Sequence, residues 1–175
     1  MNSLMAVTPC ACVCSSTWVD LFLFRHGIAQ ERMDGLDHPD RSLTLRGRQR
    51  TEAVVNHLAQ RGVRAERLIS SPYVRALETA RLAHRAGLAP LPEVSDWLVP
   101  GGDPQALFPF QERSVLLVGH EPDLSSLAAV LIGAPAGALR LRKAGWLHLQ
   151  LPGDAATWRG AARLELLLRP GALQG

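Results

Sequence analysis

Three short segments of the sequence hold the residues best suited to do chemistry. Arg25 and His26 close the apolar run LFLF and stand before Gly27. Ser70 and Ser71 follow Leu68 and Ile69, and Arg75 comes one helical turn after Ser71. His120 and Glu121 follow SVLLVG. If these segments meet, two arginines and two histidines share a pocket, which is what a phosphoryl group requires. Guanidinium forks pair bidentately with phosphate oxygens. An imidazole among fixed cations is held neutral with a free lone pair, and so can act as a nucleophile toward phosphorus. Attack by histidine would divide one hard displacement into two easier ones.

The elements around these residues decide whether they can meet. WVDLFLF reads as a buried strand, too short for a helix and followed by glycine. A long charged loop comes next. Thr44 then caps a helix in which Val54, Val55, Leu58 and Ala59 share one face, with Gly62 placed to stop it. RLIS is a second strand, and Ser71-Pro72 reads as the cap and first residue of the helix YVRALETARLAHRAG. APLPEVSDWLVPGGDP is irregular, with room for one short strand, and a small helix is expected near Gln105 to Phe108. SVLLVG is the clearest strand, and Pro122 opens a helix that ends at Gly133. GWLHLQLPG and ARLELLLRP read as a closing antiparallel hairpin. The expected fold is therefore α/β, with a mostly parallel central sheet and helices on both faces. Ligands in such sheets bind beyond the carboxyl ends of the strands, where all three segments deliver their polar groups. Helix N-termini at that edge add about 0.3–1 kcal/mol, too little to hold a dianion, so the arginines must carry the charge recognition. Gly27 is expected to let the backbone turn and approach the phosphate.

Composition narrows the function classes. A hydrophobic fraction of 47% and a charged fraction of 20% suit a soluble globular chain. Net charge is only +3, and aromatic residues make up 5%, which disfavours a nucleic-acid surface built from stacking platforms. Neither GxGxxG nor GxxxxGK[ST] occurs, which disfavours nucleotide binding. The three cysteines, Cys10, Cys12 and Cys14, all lie in CACVC. Their spacing is not that of a zinc site, and none remains to staple the fold. Residues 1–17 read as a disordered extension, and 18–175 as one domain. With no apolar run long enough to cross a membrane and no secretory signal, a cytoplasmic location is expected.

FRHG, SSPYVRALETA and LLVGHEPDLSSLA resemble the histidine phosphatase superfamily, and are most similar to its SixA-type phosphohistidine phosphatase branch. RSLTLRGRQR, LVPGGDP and KAGWLHLQL are similar to further segments of that branch, so the resemblance runs from about Val19 to the C-terminus. It implies a phosphoglycerate mutase-like fold and a hydrolase needing no metal or other cofactor. It also implies His26 as the phosphate-accepting nucleophile, with Arg25, Arg75 and His120 completing the phosphate pocket. The expected substrate is phosphohistidine on a protein. Glu121 stands where a large acid-phosphatase branch has an aspartate proton donor, which makes it a candidate acid. Glu31, Asp34, Asp37 and Asp40 are further candidates without a motif.

Two rival readings remain: a phosphoester phosphatase or mutase of the same fold, and a phosphate-binding module without turnover. His38, His57, His84 and His148 read as surface or helix-face residues. The arginines from Arg32 to Arg50 read as a solvated face, although Arg41 stands near enough to the loop's end to reach substrate. Ser71 reads as a helix cap rather than a nucleophile. Glu121 and Asp123 would also favour a helix N-terminus.

Overall fold

The computed structural model describes residues 18–32, 35–153 and 158–173. The expected N-terminal extension, 1–17, lies outside the described residues, as does Asp34. Six strands are present: β1 (Val19–Arg25), β2 (Arg67–Ser70), β3 (Glu93–Val94), β4 (Ser114–Gly119), β5 (Trp146–Leu151) and β6 (Arg163–Leu168). They form one sheet in the order β3-β2-β4-β1-β5-β6. β1, β2, β3 and β4 run parallel, whereas β5 pairs antiparallel with both β1 and β6. This is the expected α/β sheet with a late antiparallel hairpin.

Alternation along the central strands divides the core. Leu21 and Leu23 of β1, Val115 and Leu117 of β4, and Leu147 and Leu149 of β5 face α3 (Asp123–Ile132). Phe22, Phe24, Leu116 and Val118 face the other way, toward α1 (Leu45–Gln60) and α2 (Val74–Arg85). Trp146 covers Phe22 on that face, with ring centroids 5.1 Å apart. Both faces of β1 and β4 are thus buried, which explains why these strands read as continuous apolar runs.

Register brings the functional segments together. Arg25 pairs with Gly119 across β1 and β4, and Ser70 pairs with Val118 across β2 and β4. His26, Ser71 and His120 therefore leave the same edge of the sheet from three adjacent strands.

Two local expectations are corrected. Ser71 does not cap α2, which begins at Val74 with Tyr73 in the capping position. The Ser71 amide still donates to the Val118 carbonyl at 3.0 Å, so Ser71 remains tied to the sheet. Pro122 occupies the capping position of α3 rather than its first turn. The small helix near Gln105 is a 3-10 turn, Pro104–Leu107.

Gly27 also has a packing role that its sequence context did not show. A Cβ there would strike Thr51 Oγ1, and a Cβ at Gly47 would overlap the Ile28 carbonyl. The two glycines let α1 lie directly on the backbone that follows β1. Their smallness serves helix-to-loop packing.

Candidate active site

His26 is buried at the end of β1, with 6% of its surface exposed. Its Nδ1 lies 2.7 Å from the Gly27 carbonyl. A carbonyl oxygen only accepts, so Nδ1 carries the proton and Nε2 keeps its lone pair. That lone pair faces the Arg75 Nε–H at 3.3 Å. The Gly27 amide donates to Thr79 Oγ1 at 3.1 Å, and Thr79 in turn donates to the Arg75 carbonyl at 2.8 Å. This chain of bonds fixes the loop bearing His26 against the helix bearing Arg75.

Arg75 occupies the middle of the site. Its side chain is almost fully buried, and its Nη2 donates to Asp37 at 2.8 Å and approaches His120 Nδ1 at 3.4 Å. Nη1 donates to the His38 carbonyl at 3.2 Å. A guanidinium only donates, so His120 accepts at Nδ1 and bears its proton on Nε2. Nε2 then donates to Ser71 Oγ at 2.9 Å. The two imidazole centroids lie 5.1 Å apart.

Both histidines are held neutral. Burial pushes the His26 pKa well below the ordinary histidine value, and His120 and Arg75 lower it further. Burial, followed by the Arg75 charge, lowers that of His120 to about 3. Two neutral rings packed against a guanidinium leave a cationic floor, with the unprotonated nitrogens His26 Nε2 and His120 Nδ1 both turned to Arg75.

Arg25, the last residue of β1, donates from Nη1 to the Leu141 carbonyl at 2.8 Å. Its Nε is buried without a protein partner among the described residues. The turn that supplies Leu141 is fixed to the end of β1. The Ala144 amide donates to the His26 carbonyl at 3.1 Å, and the Arg25 amide donates to the Gly145 carbonyl at 3.0 Å. These bonds hold Ala144 at φ +57°, a left-handed conformation that costs an alanine about 1 kcal/mol.

Arg25, His26, Arg75, His120 and Glu121, five residues singled out in the sequence, line one open cleft of about 530 Å³. Glu121 holds the first turn of α3 as well, accepting from the Ser125 amide at 3.2 Å and the Ser125 hydroxyl at 2.8 Å. Burial raises its pKa, while Ser125 and Arg25 oppose that rise. Arg41, Asp37 and Glu31 also reach the cleft, and so does Lys143 from the turn beside Arg25. Arg41 Nη2 lies 3.0 Å from the second oxygen of Asp37, so this carboxylate lies between two arginines. His57, His84, His148 and Asp40 do not line the cleft. Among the described residues no group of three histidine, cysteine or carboxylate side chains is arranged to hold a metal ion. No described helix is long and apolar enough to cross a membrane.

The roles of Ser71 and Asp37 were not legible in the sequence. Ser71 precedes a proline, which is also what a helix cap does. Asp37 is one acid among several in a charged loop. Only the placement of Ser71 on an adjacent strand end, one turn ahead of Arg75, offered a signal.

Residues 21–97 match the model of the histidine phosphatase superfamily, branch 1. An uncharacterized protein of Picosynechococcus sp. is 37% identical over 155 residues, covering 84% of this chain and 89% of the relative. The chain belongs to the histidine phosphatase superfamily. Membership makes this histidine phosphatase a hydrolase acting on phosphoryl groups. The protein histidine phosphatase SixA, in complex with tungstate, shares its fold with a TM-score of 0.75 and 25% identity, over 89% of this chain and 99% of SixA. The alpha-ribazole phosphatase of Shigella flexneri shares the fold with a TM-score of 0.64 and 22% identity, over 87% of this chain and 97% of that protein.

Proposed function

We propose that this histidine phosphatase removes the phosphoryl group from phosphohistidine on proteins, through a phosphohistidine formed on His26. The observation that carries this reading is the bond from His26 Nδ1 to the Gly27 carbonyl, which leaves Nε2 unprotonated at the cleft floor. In the first step Nε2 bonds to phosphorus as the bond from phosphorus to the substrate's imidazole nitrogen breaks. The leaving nitrogen keeps the electron pair and takes a proton from solvent. In the second step water attacks phosphorus and gives up its proton to solvent. The P–Nε2 bond breaks, its electron pair returns to His26, and phosphate leaves.

Arg75 lies against the attacking nitrogen and Arg25 lines the same cleft, so their guanidinium groups can meet the charge carried by the phosphoryl oxygens. His120 is neutral without substrate, and a bound dianion would raise its pKa and favour a proton on Nδ1. The positive charge is supplied by side chains, so turnover should survive EDTA.

The P–N substrate is supported by similarity to SixA, a protein histidine phosphatase. The position of Glu121 agrees with it. Both carboxylate oxygens are engaged by Ser125, whereas ester cleavage gains about 10²–10⁴-fold from a free general acid. The rival reading is a phosphoester phosphatase, because burial raises the Glu121 pKa and the side chain lines the cleft. A substrate panel decides between them. A phosphohistidine peptide, phosphoramidate and p-nitrophenyl phosphate are compared by kcat/KM. The P–N substrates are expected to lead, and a leading ester would transfer the assignment to the rival.

A further inference from the structure

Beside the catalytic cleft lies a second open groove of about 560 Å³ with a different character. Its wall carries six cations: Arg25, Arg50, Arg140, Arg142, Lys143 and Arg169. No carboxylate lines it, and none of the six forms an ion pair with a carboxylate among the described residues. The whole chain has a net charge of only +3, so this is a local concentration rather than a general bias. Arg25 and Lys143 belong to both cavities, so the groove continues directly from the place where phosphorus would sit.

The remaining cations come from separate parts of the fold. Arg50 lies on α1, Arg140 and Arg142 lie before β5, and Arg169 follows β6. Gathering like charges from distant segments is unfavourable unless an anion neutralises them, and a cleft lined by one sign concentrates its field. The Nε atoms of Arg25 and Arg50 are buried with no protein partner among the described residues. Lys143, shared with the catalytic cleft, has its pKa lowered by burial and then by Arg25 and by Arg41, Arg75 and Arg32 of that cleft.

We propose that this groove binds an acidic flank of the protein substrate, aspartate and glutamate side chains next to the phosphohistidine in space. The proposal rests on the function proposed above and adds the substrate's character around the reacting group. Arginine clusters read carboxylates through bidentate pairs, as in other acidic-motif sites. A nucleotide fits the wall less well, because no aromatic side chain lines it to stack on a base.

The test uses the exposed residues Arg140, Arg142 and Arg169, which do not line the catalytic cleft. The triple variant Arg140→Gln, Arg142→Gln, Arg169→Gln is compared with the natural protein on two phosphohistidine peptides, one flanked by aspartates and one by serines. The natural protein is expected to prefer the acidic peptide by at least tenfold in kcat/KM. In the variant that preference should collapse, with the serine peptide and phosphoimidazole unchanged. Binding is read separately, by anisotropy of a fluorescein-labelled, unphosphorylated acidic peptide at low salt, and should weaken at least tenfold in the variant. Equal rates on both peptides, or peptide binding indifferent to the variant, would overturn the proposal. So would binding of tripolyphosphate that depends on the three arginines while the acidic peptide does not bind. If phosphoimidazole is not hydrolysed by the natural protein, the P–N reading fails, and the anisotropy result alone decides the groove.

Discussion

The Arg75 Nε lies 3.3 Å from His26 Nε2, and the same guanidinium reaches His120 and Asp37. One buried cation thus aligns both imidazoles and neutralises the carboxylate beneath them. Replacing it by alanine removes the cation and leaves the Asp37 charge at the cleft offset by Arg41 alone. Arg75→Ala is expected to lower kcat/KM at least 100-fold, about 2.7 kcal/mol of transition-state stabilisation. Arg75→Lys should rescue little, because one ammonium cannot replace a planar fork reaching four partners. Adding Asp37→Asn to Arg75→Ala should recover part of the loss, mainly in KM. Steady-state kinetics on phosphoramidate checks all three variants.

The acid sensitivity of the fold should come partly from the buried histidines. Both have depressed pKa values when folded, and His120 titrates at about 3. The unfolded chain binds protons near the ordinary histidine pKa, about 6.5, while the folded chain does not. Their contribution is therefore complete above about pH 6.5 and lost as pH falls, toward about 3 in the case of His120. Each fully coupled histidine tilts stability by about 1.4 kcal/mol per pH unit across that window. Urea unfolding between pH 7 and pH 4 should show a shallower slope for His120→Gln than for the natural chain. Parallel curves would refute the neutral, buried state of His120.

Much of this site is legible in the sequence. Arg25, His26, Arg75 and His120 each follow a strand end closely, so the parallel sheet alone requires them to converge. The supporting contacts were not legible in the same way. Ser71 looks like a helix cap in sequence, yet its amide remains in the sheet and its hydroxyl holds His120. Asp37 acts on Arg75 through a loop whose path no periodicity specifies. Gly27 and Gly47 were ambiguous because a glycine reports that room is needed, not which neighbour needs it. The basic groove joins residues from β1, α1, the turn before β5 and the C-terminal end, and no local pattern unites them.

Gly47→Ala tests the contact between α1 and the loop after His26. Alanine would gain up to about 1 kcal/mol in helix propensity at this position. The added methyl would overlap the Ile28 carbonyl, which is backbone and cannot rotate away. Overpacking of that kind costs about 1–3 kcal/mol, and here the clash with rigid backbone should exceed the propensity gain. The expected result is a net loss of about 1–2 kcal/mol in urea unfolding together with reduced activity, since Ile28 follows the loop that carries His26.

Glu121→Gln separates the two leaving-group chemistries. Glutamine keeps one of the two oxygens that accept from Ser125 and has no ionisable proton. Turnover of phosphoramidate is expected to stay within about tenfold of the natural rate, below the range a lost general acid costs. Residual ester hydrolysis should fall further. An equal loss on P–N and P–O substrates would show that Glu121 supports the site in some other way, and would remove the argument for P–N preference.

The central claim is covalent transfer of the phosphoryl group to His26, and trapping the intermediate tests it most directly. Enzyme turning over ³²P-labelled phosphoramidate is quenched in base or in acid, digested and mapped. The label should appear on the peptide containing His26 after base quench and be lost after acid quench, because phosphohistidine is acid-labile. His26→Ala should show no label and no turnover. Undiminished turnover by His26→Ala, or natural enzyme that never carries base-stable label on His26 during turnover, would contradict the mechanism.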